Sequence, residues 1–257
     1  MATLLQVKQQ GGVSPEAALR NDLLSIGDKA SLAQRLAEIN HLRAFRRLYL
    51  MGCGRSGTWL ATALLATFND IDVVAQELPV VTFGHLLTDK KILLLKRNYF
   101  SFATVEKIPD SIEILWVLRH PFDVLTSANP LTDRKYHILP DRWLGEMLAL
   151  QYLFDSKRQN VRVLRYEDMV QRPVEVQKEI ADHYGLSVAC SFEDFEKNVS
   201  LPPEAVAAMH GLRKVDQSSL YAHRADPVKL DYLRSIKPRI QRLLDWVATE
   251  FSYDVAI

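Results

Sequence analysis

Cysteine is scarce in this chain: only Cys53 and Cys190 occur. They show no metal-ligand spacing and could form at most one bridge, which excludes a cysteine-built zinc module and a disulfide scaffold. A reducing compartment is the better expectation. An excess of one charge is also lacking. Lys and Arg total 32 against 31 Asp and Glu, for a net charge of +1. A general nucleic-acid binder would need a large basic excess, whereas a local site for a small anion needs none. No apolar run reaches the ~18 residues of a membrane helix, and residues 1–12 lack a basic-then-apolar leader pattern. The expectation is a soluble, cytoplasmic protein without membrane insertion. Linkers rich in Pro, Gly or Ser, internal repeats and low-complexity segments are missing as well. With 257 residues, 48% of them hydrophobic, one α/β domain over 1–257 is expected.

What is present divides into two stretches. Ser14-Pro15 reads as a helix start, with a capping hydroxyl and a proline at the first helical position. A second amphipathic helix is predicted over 31–45, with Leu32, Leu36, Ile39 and Leu42 on one face. Residues 1–45 thus form a helical extension packed on the rest. From Arg47 onward, short apolar runs alternate with helical segments. Strands are predicted at 48–51, 72–76, 92–96, 114–118 and 161–165, and a helix at 58–68. Runs apolar on both faces suit a parallel sheet flanked by helices. A last helix is predicted over 226–251, broken or kinked by Pro238.

The segment Leu48-Tyr49-Leu50-Met51-Gly52-Cys53-Gly54-Arg55-Ser56-Gly57-Thr58-Trp59 carries the most chemistry. A buried strand enters a glycine-rich turn and a helix leaves it. Such a turn lets backbone N–H groups converge on an anion, and the helix N-terminus adds partial positive charge. Ser56 and Thr58 supply hydroxyls and Arg55 a full charge. A bare connecting turn would not need three glycines beside Arg, Ser and Thr. The ATP-type loop G-x-x-x-x-G-K-[ST] is not matched, because Thr58 holds the lysine position and Trp59 that of the metal-binding hydroxyl. The strand at 114–118 runs into Arg119-His120 and offers no acid there. A donor used without metal fits this loop better than ATP with Mg²⁺.

A second anion site is predicted where Arg119 follows that strand and Pro121 opens a helix. Ser127 lies eight positions on, about two helical turns. Both reach one phosphate if the strand end folds back over the helix; the plainer alternative pairs Arg119 with a carboxylate. Asp123 would favour the helix macrodipole.

Together the two segments resemble the sulfotransferases that use 3′-phosphoadenosine-5′-phosphosulfate (PAPS). In that family a loop like R/K-S-G-T binds the 5′-phosphosulfate, and R-[DH]-P-x-D-V-x-x-S binds the 3′-phosphate through its Arg and Ser. Gly54-Arg55-Ser56-Gly57-Thr58 matches the first, with Arg55 where cytosolic members usually have Lys. The residues from Arg119 to Ser127 match the second in spacing and order. Leu164-Arg165-Tyr166-Glu167-Asp168-Met169 resembles the R-Y-E-D-L block of bacterial members. The resemblance spans roughly 47–186 and implies a P-loop NTPase-like sulfotransferase fold, with PAPS as donor, PAP (adenosine 3′,5′-bisphosphate) as product and no metal. It places Gly54, Arg55, Ser56, Gly57, Thr58, Trp59, Arg119 and Ser127 around the cofactor. Tyr166, Glu167 and Asp168 are expected to brace strand and helix. A basic flap over the 3′-phosphate would correspond to Arg213-Lys214, although the G-x-W that often follows it is missing.

Transfer needs a general base. Cytosolic members carry a His in K-T-H after the third strand; here Lys96-Arg97-Asn98 stands there. Many carbohydrate-modifying and bacterial members place a Glu after the second strand, where this chain has Glu77. Glu77 is a base on that resemblance, or a surface charge or an ion-pair partner; His85 is the competing base, and Lys96 a contact to sulfate or acceptor. Residues 129–143, with Arg134, Lys135, Tyr136, His137 and Arg142, read as an acceptor-docking segment for a small molecule or a carbohydrate such as a capsular or cell-envelope glycan, or as a plain loop leading to a core Trp143. The competing functions are a P-loop nucleotide kinase and a non-catalytic nucleotide-binding protein on the same fold.

Overall fold

A computed structural model of the chain describes residues 3–4, 28–97, 105–128 and 133–257. Its centre is a five-stranded sheet of β1 (Arg46–Gly52), β2 (Ile71–Leu78), β3 (Ile92–Arg97), β4 (Ile112–Leu118) and β5 (Val161–Arg165). The order across the sheet is β2-β3-β1-β4-β5, and every pairing is parallel. Alternate residues explain why both faces are covered. Tyr49, Met51, Leu93, Leu95, Ile114 and Trp116 enter one core; Leu48, Leu50, Leu94, Leu115 and Val117 enter the other. Residues Thr3–Leu4 pair antiparallel with Leu86–Leu87, outside this sheet.

On the first face lie α1 (Lys29–Leu42), α3 (Pro121–Leu125), α4 (Pro140–Asp155) and α7 (Pro227–Phe251). On the second lie α2 (Thr58–Leu65) and α6 (Pro173–Tyr184), with α5 (Tyr166–Gln171) between β5 and α6. Asp28 caps α1 by accepting from the Ser31 N–H at 2.9 Å. Leu32, Leu36 and Ile39 are buried as expected, but the helix ends at Leu42, which is 70% exposed. The apolar stripe therefore stops one turn early. Helix α2 ends at Leu65 rather than 68, where the Thr67 hydroxyl bonds back to the Leu64 carbonyl at 2.7 Å. Pro238 does not break α7. Leu233 precedes it and Ile240, Leu243, Leu244 and Val247 follow it, all buried on one face, so tertiary packing carries the helix through the lost hydrogen bond. The helix start at Ser14 lies outside the described residues.

Strand order reverses between β1 and β4, where the carboxyl ends of strands in an open α/β sheet form a ligand crevice. Gly52 pairs with Val117 at this point. A Cβ on Gly52 would lie 2.5 Å from the Val117 carbonyl oxygen, and its φ of +146° favours glycine. The two anion motifs of the sequence thus leave adjacent strands side by side.

Candidate functional site

A cleft of about 570 Å³ opens at this switch point. Arg55 lines it from the loop after β1, Thr58 and Trp59 from the first turn of α2, and Arg119 and Ser127 from the segment after β4. The loop closes through a hydrogen bond from the Ser56 N–H to the Cys53 carbonyl at 3.1 Å. Arg55 adopts φ +67° and Gly57 φ +91°, so left-handed turns lead into α2. A Cβ on Gly57 would stand 2.4 Å from the Tyr166 ring, which is why this position admits no side chain. Cys53 is free and buried beneath the loop, and burial pushes its thiol far above the usual range.

The two arginines meet. Arg55 Nε donates to Ser127 Oγ at 3.0 Å, and Arg119 Nη1 donates to the Arg55 carbonyl at 3.3 Å. The Arg119 guanidinium lies over the Tyr166 ring, 4.3 Å from its centroid. Burial, with Arg119 nearby, holds the Arg55 guanidinium below its ordinary range. Two guanidinium groups and a serine hydroxyl thus converge on one cleft, a donor set chemically suited to a polyanion. Among the described residues Arg119 has no carboxylate partner; its Nη2 donates to the Ser219 carbonyl at 2.8 Å.

The segment after α6 closes the far wall. Arg213 and Lys214 line the cleft with exposed side chains. Its attachment explains Asp123. That carboxylate does not simply serve the helix dipole, because α3 has only five residues. It accepts from the Tyr221 N–H at 2.8 Å and lies 2.7 Å from His223 Nδ1. Asp123 therefore ties the basic segment to the second motif. Asp123, His223 and His120 form a buried cluster, and the His120 ring is occupied by Asp254 and by the Phe122 N–H. Burial lowers His120 to about 4, keeping it neutral. Glu167 braces as expected, accepting from the His120 N–H and the Tyr253 hydroxyl, each at 2.8 Å. Tyr166 does more than brace: it lines the cleft, and its hydroxyl lies 2.9 Å from Ser219 Oγ.

On the other side of the loop stand Glu77 and Lys96. A bulge between Val74 and Glu77 sets Glu77 opposite Lys96 across β2 and β3, and the two form an ion pair. Lys96 is buried, and its ammonium also sits 4.2 Å from the centroid of the Trp59 ring. Burial depresses the Lys96 ammonium, and Glu77 counters that shift. Neither residue lines the 570 Å³ cleft itself. His85 ends the turn Val80–His85 and is buried away from the cleft. Asn98 and residues 129–132 of the expected acceptor segment lie outside the described residues. Of the remainder, Lys135 and Tyr136 line the cleft and Trp143 is core.

Sequence reasoning missed one buried pair. Arg97 donates twice to Glu146 of α4, both at 2.6 Å, and its Nη2 also donates to the Gly52 carbonyl at 2.7 Å. A charged residue among Trp143, Met147 and Leu150 on the buried face of α4 was the available sign of it.

No protein-family model matches the chain, and no curated protein sequence does. Among solved structures, a sulfotransferase domain from the curacin biosynthetic pathway superposes with a TM-score of 0.61 at 12% identity, covering 83% of this chain and all of that one. A sulfotransferase domain from the Synechococcus PCC 7002 olefin synthase gives 0.57 at 16% identity, covering 83% of this chain and 96% of its own.

Proposed function

We propose that this chain, built on the sulfotransferase fold, moves the sulfuryl group of PAPS to a hydroxyl or amine of a small-molecule or carbohydrate acceptor. The convergence of Arg55, Arg119 and Ser127 on one cleft at the strand switch point carries this reading. The glycine loop would hold the 5′-phosphosulfate through Arg55, Ser56, Gly57 and Thr58. Arg119 and Ser127 would take the 3′-phosphate, with Arg213 and Lys214 at the rim. Trp59 and Tyr166 line the same cleft, where the adenine would lie. In the transfer the acceptor oxygen attacks sulfur and the bond from sulfur to the bridging oxygen breaks. PAP leaves with that electron pair, and the acceptor proton passes to a base, assigned here to Glu77. Loop N–H groups and cations stabilise the charge on the leaving oxygen. Thr58 and Trp59, where an ATP loop has its lysine and metal hydroxyl, favour this donor over ATP with Mg²⁺.

PAP is expected to stabilise the fold without added metal. At ~100 times its dissociation constant the gain is about 2.7 kcal/mol, or roughly 5–10 °C in Tm for a chain of this size. A larger Tm shift with ATP plus Mg²⁺ would refute the donor assignment. Arg119→Ala is expected to weaken PAP binding about 10- to 100-fold, as loss of charge-assisted bonds to phosphate does. Adenosine 5′-phosphosulfate, which has no 3′-phosphate, should bind no worse than before. Equal losses for both ligands in calorimetry would remove Arg119 from the 3′-phosphate site.

A further inference from the structure

We infer that Arg142 is a donor-binding residue whose guanidinium contacts the transferred sulfuryl group beside Gly54. The inference rests on the PAPS reading above and assigns a role that the loop motif does not contain.

The first ground is steric. A Cβ on Gly54 would lie 3.3 Å from Arg142 Nη2 and 3.0 Å from Ile138 Cδ1. The guanidinium therefore packs on the loop backbone just before Arg55, in space that any side chain at 54 would contest.

The second ground is rigidity. Arg142 and Glu146 lie four residues apart on α4, on one helical face. Glu146 is gripped by Arg97, and Arg97 also holds the Gly52 carbonyl. The turn of α4 that carries Arg142 is thereby fixed to the first residue of the loop through buried bonds. A group meant to meet a transition state needs such support from its neighbours.

The third ground is charge placement. Burial is the main cause that lowers the Lys96 ammonium, and Arg97 and Arg142 add to it, so Arg142 stands within electrostatic reach of Lys96. Arg142 is absent from the lining of the cleft that holds Arg55, Arg119 and Ser127. Its closeness to Gly54 and Lys96 sets Arg142 beside the same loop as Arg55, the residue given above to the 5′-phosphosulfate. The donor has two separated anionic ends, and its sulfuryl end carries oxygens that a planar guanidinium fork matches. Lys96 and Arg142 together fit that end.

The test needs no acceptor. PAP and PAPS differ by the sulfuryl group, so the ratio of their dissociation constants reads contact with it. Calorimetry on the full chain should show Arg142→Met leaving PAP affinity nearly unchanged while PAPS binding weakens about 10- to 100-fold. Arg142→Lys keeps the charge but not the fork and should give an intermediate ratio; it also serves if the Met variant folds poorly. An unchanged ratio in both variants, or equal weakening of PAP and PAPS, overturns the assignment of Arg142 alone. Failure of the unsubstituted protein to bind PAP overturns the donor reading, and this inference with it.

Discussion

In the Glu77→Gln protein, sulfuryl transfer to the acceptor is expected to fall at least ~100-fold while PAP affinity stays nearly unchanged. The substitution keeps size and hydrogen bonding but removes basicity. The setting of Glu77 motivates this expectation. The β-bulge turns it toward Lys96, and the ion pair holds its carboxylate near the first turn of α2, which carries Trp59. The two partners differ in exposure, 40% for the Glu77 side chain and 5% for Lys96. The carboxylate is therefore the member open to an incoming acceptor, and the buried ammonium is the member that holds it. An ion-pair role alone makes a different prediction. Removing the negative charge would leave Lys96 buried without its counter-ion, and stability or PAP affinity would fall before turnover did. His85→Ala supplies the contrast. If His85→Ala abolishes transfer while Glu77→Gln retains it, the base is His85. Measured with the true acceptor, the kcat of the two variants separates these cases.

Glu146→Leu is expected to destabilise the protein by about 3–5 kcal/mol, because it strands a buried guanidinium. That corresponds to a loss of roughly 6–20 °C in Tm. The Arg97 side chain is 5% exposed and Glu146 is fully buried, so solvent cannot replace the missing carboxylate. Burial raises the Glu146 carboxyl, and Arg97, with a smaller contribution from Arg142, opposes that shift. The double variant Arg97→Met/Glu146→Leu should recover most of the lost stability, since apolar groups of similar volume often replace a buried pair at little cost. It should still bind PAP more weakly than the unsubstituted protein, because the Gly52 carbonyl at the head of the loop loses its donor. Thermal melts of the three variants decide the first point and calorimetry the second. A double variant as unstable as Glu146→Leu would show that packing, not charge, sets the loss.

The strands and the two anion motifs were legible because they are local. Val, Leu and Ile runs with flanking glycines specify buried parallel strands within a few residues of themselves. Gly52, Gly54 and Gly57 specify a loop because backbone conformation and close approach leave little choice at 52 and 57. Element ends were less legible. Leu42 continues the apolar period of α1 yet faces solvent, and Pro238 reads as a break yet lies inside α7. In both places packing against distant elements outweighed local preference.

By itself the sequence determined the fold class, the order of the elements and the residues of the two motifs, because each depends on neighbours in the chain. Tertiary structure alone decided which groups meet. Arg55 reaches Ser127 across 72 positions, Asp123 holds His223 across 100, and Arg97 grips Glu146 across 49. Periodicity and motif spacing carry no term for such distances. The pairs exist because β1 and β4 lie adjacent at the switch point of the sheet, and because burying α4 against it sets Glu146 beside the buried Arg97.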